Sequence, residues 1–382
     1  DLDAPDPTIY PKGMLLFNTR RSGYNVKKFV KSKFSRANFA STTDYPTLPT
    51  EKDAWVTQSG NKEDGSPYMG RKAQRQVVVK SLQSSITSNT AIREEQREFN
   101  VIACPGYPET IDEMETLNSD RGFTAFVVGD TPFRLAPTTT AINAYGLNSN
   151  SAATNGEDGL TSNNSFTGVY YPSGFTSDLA GNNVVVPPSH MALRVIALND
   201  DVAFPWFAPA GTRRGIVDNA SGVGTINAIT GDFETIGTSN TLKDACATAR
   251  INPVTFINGV GLSVFGQKTR QEASSALDRI NVARLVNFVR NQLDKIAKPF
   301  IFEPNDQLTR NELKQSVESF MLELVAQRGL YDFAVVCDET NNTAARIDRN
   351  ELYVDVAIEP VKAVEFIFIP VRLKNTGEIA QL

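Results

Sequence analysis

One stretch near the first quarter of the chain restricts the fold more than any other. EFNVIACPG, Glu98 to Gly106, is an apolar run of strand length closed by a Pro-Gly turn. PETIDEMETLNSDRG, Pro108 to Gly122, follows with Ile111, Met114, Glu115 and Leu117 at near-helical spacing, and GFTAFVVGD, Gly122 to Asp130, is a second apolar strand. Strand, helix and strand within about 30 residues form a βαβ unit, whose crossover demands parallel pairing. The centre of the chain is therefore expected to be α/β.

The C-terminal third predicts a different unit. TRQE, Thr269 to Glu272, has the form of a capping box, in which a hydroxyl takes an orphan N–H and the acid reaches back. Behind it Ala276, Ile280, Ala283, Val286, Val289, Leu293 and Ile296 recur every three or four residues, and Pro299 closes the pattern. A second box, TRNE from Thr309 to Glu312, opens a helix with Leu313, Val317, Phe320, Met321 and Leu324 on one face, ended by Gly329. Three β-rich runs follow: Tyr331 to Asp338, Glu351 to Pro360 and Ala363 to Leu373, with Leu352, Val354, Val356 and Ile358 alternating. Two helices on a small, mostly antiparallel sheet make an α+β unit. The whole reads as an α/β and α+β multidomain chain: a peripheral, variable outer subdomain at 1–95, an α/β core at 96–260, and a C-terminal α+β domain at 261–382.

Within the first part the only strand-like run is QVVVKSL, Gln76 to Leu82. Residues 138–165 are rich in Ser, Thr, Asn and Gly, and read as a flexible surface insertion with too few apolar side chains to offset its ordering entropy. Order returns at Ser165 to Pro172, and PPSHMALRVIALND, Pro187 to Asp200, predicts a helix with Ser189 near its N-cap. A chain of 382 residues with a formal charge of −5 has partners expected among proteins, not nucleic acid. Three scattered cysteines, Cys104, Cys246 and Cys337, give neither a disulfide framework nor a zinc site and fit a reducing compartment. No run approaches the length of a membrane span, and the absence of Met at position 1 reads as a processed protein or an excised fragment.

Chemical motifs are few. GVGLSVFGQKT, Gly259 to Thr269, resembles a phosphate-binding loop, but Gln267 displaces Lys268 and Thr269 by one position, about 100° around a helix that would begin there. With Thr269 read as an N-cap and the Lys out of register, a tight approach of backbone to sheet accounts for Gly259 to Gly266 better. His190 is the only histidine and reads as a helix-end surface residue, and CDETNNT, Cys337 to Thr343, lacks the Gly and Glu of a calcium loop and reads as a strand-ending turn. The basic string Arg20, Arg21, Lys27, Lys28, Lys31 and Lys33 reads as a charged face. No catalytic residue, cofactor or metal ligand is expected. The alternative is an α/β enzyme that binds a phosphate-bearing ligand near Gly259 to Lys268.

Several motifs in order carry a family resemblance: ACPGYPETIDEM with GFTAFVVGD, WFAPAGTRRG (Trp206 to Gly215), INPV, VFGQKT, INVARL, FEPND, CDETNNT and NELYVDVAIEPVKAVEFI. Together they resemble the contractile phage tail sheath family, including the sheaths of related injection machines. Phe265 and Lys268 stand where that family often has Trp and Arg, and residues 1–95 and 138–165 do not match. The resemblance implies a structural virion protein without enzymatic activity, assembled in the host bacterial cytoplasm. It further implies hexameric stacked rings around a tail tube, with baseplate and tail terminator as further partners, no nucleic-acid contact and no membrane insertion. Such a lattice contracts to drive the tube through the host envelope. It needs an arm shared between subunits, expected here from Val364, Phe366, Phe368, Val371, Leu373, Ile379 and Leu382. Tube contact is expected from a basic face of the second C-terminal helix, carried by Arg310, Lys314 and Arg328.

Overall fold

The computed structural model describes residues 71–94, 96–227 and 232–365. The basic string and most of the expected outer subdomain lie outside them. In chain order the main elements are α1 (Arg71–Ser88), β1 (Val101–Ala103), α2 (Ile111–Asp120), β2 (Phe126–Asp130), α3 (Thr139–Gly146), β3 (Thr167–Tyr171), β4 (Ser173–Ser177), β5 (Asn183–Val186) and α4 (Pro188–Val202). Then come β6 (Gly222–Ile226), β7 (Phe233–Thr235), α5 (Asn240–Thr248), β8 (Ile251–Ile257), β9 (Gly261–Val264), α6 (Ile280–Ala297), α7 (Gln307–Ala326), β10 (Leu330–Val336) and β11 (Asp355–Pro360).

The expected βαβ unit is present: β1 and β2 pair in parallel, with α2 between them. The sheet continues in the order β1-β2-β3-β8-β9, parallel as far as β8 and antiparallel at β9. Every residue of β2 and β3 is buried, as strands covered on both faces must be. Because side chains alternate, Phe126, Val128 and Tyr170 join Met191, Val195 and Ile196 of α4 and Ile280 of α6 on one face. Val127, Val169 and Tyr171 join Ile111, Met114, Ile142, Leu242 and Cys246 on the other. At the end of β2, Asp130 is 2% exposed and accepts bonds from the Gly106 amide, the Ser189 amide and the Ser189 hydroxyl. Ser189 thus ties α4 to the sheet instead of capping its helix, whose N-cap is Pro187.

Two readings of the first half are corrected. Gln76 to Leu82 is not a strand but the middle of α1, where Val77 and Val78 turn inward. The β-branched run is overridden by its flanks and by packing on the α2 region, fixed by an Arg75–Glu109 ion pair at 2.8 Å and a bond from Gln83 to the Glu109 carbonyl. Residues 138–165 contribute to the core: Thr138 caps α3 through the Ala141 amide, and Ile142, Tyr145 and Leu160 are buried. Their polar residues bond locally; buried Asn155 accepts from the Thr161 and Ser162 amides and donates to Asp112. A four-stranded antiparallel sheet, β5-β4-β6-β7, was not foreseen from the sequence.

The C-terminal unit packs α6 and α7 on the antiparallel β10–β11 pair, with Leu285, Val289, Leu313, Val317, Met321, Leu324, Leu330 and Val335 inside. Neither capping box operates. Thr269 gives its hydroxyl to the Leu277 carbonyl, the Glu272 amide donates to Asn163 Oδ1, and α6 starts only at Ile280, after a 3-10 turn capped by Ser275. In α7 the N-cap is Asp306, which accepts from the Thr309 amide and starts the helix two residues before Thr309. At its other end the Gly329 amide bonds Leu324 O at 2.8 Å and the Arg328 amide bonds Val325 O at 3.0 Å, a Schellman closure. The left-handed residue there is Arg328, φ 64°, not Gly329. Strand β11 begins at Asp355 because Glu351–Val354 is held by Asn341 and Asn342, which bond Tyr353. Asp338 takes the Thr340 amide in the expected strand-ending turn. Ala363–Glu365 form no strand, and the remainder of the third expected strand, Phe366 to Leu373, lies outside the described residues.

Candidate assembly surface and the seam behind it

The segment Gly266–Arg270 joins the two units. Gly259 (φ 81°) and Gly261 (φ 103°) shape the turn between β8 and β9, so the first half of the loop-like motif is a hairpin. Gly266 lies so close to Asn252 and Pro253 that a Cβ there would sit 2.9 Å from Pro253 Cδ and 3.0 Å from Asn252 Oδ1. Fully buried Asn252 then pairs with Lys268 as a strand neighbour would, accepting its amide at 2.7 Å and donating to its carbonyl at 2.9 Å. Lys268 Nζ bonds the Ala247 carbonyl at 3.0 Å. With the ammonium engaged, the Thr269 hydroxyl occupied and no helix until Ile280, the segment lacks the parts of a phosphate cradle.

Arg270 completes the seam. It is 2% exposed, and its guanidinium donates to Ala249 O at 2.6 Å, Gly146 O at 2.9 Å and Ser162 O at 3.3 Å. Gly146 ends α3 and Ala249 follows α5, so the charge sits where two helix dipoles present their negative ends. Burial pulls its pKa down to about 10, with Arg250 adding to the effect. On the opposite face Arg284 of α6, also buried, pairs with Asp200 of α4.

A second junction lies at Trp206. Its ring stacks on Phe204 (centroids 4.7 Å apart, 4° between planes), tilts against Phe288 of α6 and donates its N–H to Gln327 O at the end of α7. The loop then makes one helical turn, Gly211–Arg214, which the Ser263 hydroxyl pins through the Gly211 carbonyl. Arg214 lies over the Phe207 ring at 4.4 Å, and Arg213 is exposed. Burial lowers the Arg214 pKa, and the charges of Arg213 and Arg328 lower it further. Phe207 stacks on Phe204, Phe204 on Trp206, and Trp206 bonds Gln327 O, so Arg213 and Arg214 meet Arg328 at this junction.

The expected tube-contact face is not assembled as the sequence implied. Arg310 is 7% exposed and bonds Asn305 through its backbone and side-chain oxygens, so it closes the α6–α7 connection instead of facing outward. Lys314 is half-buried and near Glu318, while the exposed side of α7 also carries Glu312 and Glu323. Arg328 is exposed but lies past the helix end, beside Arg213 and Arg214. Those two arginines were missed as a site, although the Arg-Arg pair after Pro-Ala-Gly was a readable signal. Of the expected arm, Val364 is exposed at 78%; Phe366, Phe368, Val371, Leu373, Ile379 and Leu382 lie outside the described residues. Glu365 is anchored by Arg279 at 2.6 Å and Gln267 at 3.3 Å. His190 is exposed on α4. Among the described residues no cluster of three metal-binding side chains occurs, and no helix is long and apolar enough to cross a membrane.

A family model described as the phage tail sheath C-terminal domain matches residues 272–374, the segment that builds α6, α7 and the β10–β11 pair. The tail sheath protein of Vibrio phage KVP40 is 37% identical over 171 residues, which cover 45% of this chain and 24% of that protein. Over these stretches the chain is similar to phage tail sheath proteins. The tail sheath protein of Enterobacteria phage T4 is 33% identical over 181 residues, 47% of this chain and 26% of the other. The matched stretch thus spans about a quarter of each of these sheath proteins. In fold, the chain is similar to the sheath of an extracellular contractile injection system in its contracted state (TM-score 0.60, 21% identity, 78% of this chain and 75% of that one). It is also similar to a chain of the anti-feeding prophage baseplate (TM-score 0.59, 19% identity, 76% and 73%).

Proposed function

We propose that this chain is a structural subunit of a contractile tail sheath, that it polymerises around a tail tube, and that it shortens with its lattice to drive the tube through a host envelope. The observation that carries this reading is the coincidence of the sheath-like residues 272–374 with a discrete α6–α7–β10–β11 unit welded to an α/β base. A phosphate-binding enzyme is disfavoured by the segment Gly266–Arg270, since Lys268 and Thr269 are consumed by structural bonds. The reading places the protein in the virion tail, assembled in the host cytoplasm, with hexameric stacking, tube, baseplate and terminator as partners. The division at about residues 95 and 260 belongs to the same proposal.

Among the described residues the β10–β11 sheet has two strands, which is marginal alone and suits completion by a further strand, here assigned to a neighbour. The chain leaving Val364 starts from the anchored Glu365, and we assign residues 364–382 as the shared arm. Deleting Lys374 to Leu382 is expected to leave a folded monomer that no longer polymerises; unaltered sheaths from that variant reject the arm. Tube contact falls to Lys314, with Arg310 set aside by its burial. The primary test is electron microscopy of the protein alone and mixed with its tail tube. Striated cylinders are expected, and monodisperse particles in both samples overturn the sheath reading.

A further inference from the structure

We infer that Arg213, Arg214 and Arg328 form a docking surface for a carboxylate-bearing face of a second copy of this chain; the inference rests on the sheath reading above.

Three observations carry it. The cluster is built, not incidental. Gly211 is at φ 81°, and Gly215 is pressed against Gly211 N, Ala210 C and Val264 O at 2.6 to 2.7 Å from where a Cβ would be, so no other residue fits that turn. Phe207 supports Arg214 from below, and the Trp206–Gln327 bond sets the helix end that displays Arg328. Arg328 also holds a left-handed backbone that Gly, its immediate neighbour, would adopt without cost, and a non-glycine residue there costs about 1–2 kcal/mol. Such an outlier is a reason to look for a role for the side chain.

The cluster also lacks an internal counter-charge. Among the described residues none of the three arginines makes an ion pair, whereas Arg75, Arg194, Arg279 and Arg284 each do. Like charges held together at a surface are unfavourable until an opposite charge arrives.

The occupant follows from charge and symmetry. The chain carries 38 basic and 43 acidic residues, so carboxylates outnumber cations on a second copy offered to this basic island. A helical array repeats a heterologous contact, which needs two different patches on one chain, each complementary to the other. A basic patch and carboxylates elsewhere on the next copy meet that requirement, and their attraction weakens over a Debye length of about 8 Å at physiological salt.

The test uses the purified chain in four forms: wild type, Arg213→Glu/Arg328→Glu, Arg213→Lys/Arg328→Lys, and Lys295→Glu as a charge control away from the cluster. Sedimentation is followed from low to physiological salt, and carbodiimide cross-linking of mixed isotope-labelled copies maps lysine–carboxylate pairs. The expected result is salt-weakened self-association of wild type that the double Glu variant reduces about tenfold or more, with its melting temperature unchanged. Lys295→Glu should associate as wild type does. The double Lys variant should give cross-links from positions 213 or 328 to Asp or Glu of the other copy. Cross-links only within one copy, or equal association of the double Glu variant, overturn the proposal while cylinders formed by both proteins would leave the sheath reading intact. Wild type that stays monomeric throughout also overturns it, and so does a double Glu variant that self-associates normally but no longer binds the tail tube.

Discussion

Trp206 donates its indole N–H to the Gln327 carbonyl, 3.2 Å away and 121 residues later in the chain. The bond closes the C-terminus of α7 with a side chain from the α/β unit, and the 5% exposed ring fills the space between Phe204, Phe288 and Gly329. Trp206→Ala should cost about 3–5 kcal/mol by emptying that space. Trp206→Phe keeps most of the packing and loses the bond, about 1 kcal/mol. Urea unfolding of the three proteins measures both differences.

Arg270 should behave as a structural cation. Arg270→Met removes the charge but leaves the carbonyls of Gly146, Ser162 and Ala249 without their donor, a loss of about 3 kcal/mol. Arg270→Lys should recover only part of this, because one ammonium cannot reach all three oxygens. Denaturant midpoints that are equal for Arg270→Met and wild type would contradict the assignment.

Asp130 gives a pH dependence of fixed sign. Burial pushes its pKa up to about 6, against the opposing effect of its bonds from Gly106 and Ser189. Since this lies above the unfolded value near 4, the native state binds the proton more tightly than the unfolded chain. The contribution is fully present below about pH 4 and is lost as pH rises through about 6, for a total of about 3 kcal/mol. Melting temperatures of wild type and Asp130→Asn between pH 4 and 7 isolate this group. The wild-type minus variant difference should shrink as pH rises.

Gly266→Ala tests the close approach at the seam. Its methyl would meet Pro253 and Asn252, and the pairing of Asn252 with Lys268 must open to admit it, at about 1–3 kcal/mol. Thermal unfolding unchanged from wild type would mean that the segment yields more easily than its contacts imply.

Arg328→Gly should move stability and assembly in opposite directions. The left-handed position favours glycine, so the monomer gains about 1 kcal/mol in chemical denaturation. Self-association weakens in the same protein if the arginine cluster is the docking surface.

The βαβ unit was legible because Val101–Ala103 and Phe126–Asp130 are continuous apolar runs around a helical period, a pattern that few other arrangements satisfy. Strands β4 to β7 were not, since runs such as Gly222–Ile226 are short and glycine-rich; Gly224 is required by the carbonyl of Glu234 on the next strand, a contact that no local pattern announces. Helix starts misled for a related reason. Thr269 and Thr309 have the capping sequence, but the Thr269 hydroxyl bonds Leu277 and Asp306 precedes Thr309 as a competing cap. The charge reading of α7 failed at Arg310, because periodicity places a residue on a face but does not reveal that a neighbouring loop, here at Asn305, covers it. Tertiary context likewise brought Arg328 to Arg213 and Arg214, which stand more than a hundred residues earlier in the sequence.

The Gly266–Arg270 segment also bears on how the protein comes apart. Its backbone pairs with Asn252 and Thr167, its arginine holds two helices of the α/β unit, and ten residues later α6 begins with Ile280 in the α/β core and continues with Leu285 and Val289 in the C-terminal core. No tether separates the two units at this point, so loosening one removes hydrogen-bond partners and core contacts from the other. Loss of order is thereby coupled across the seam into one cooperative transition.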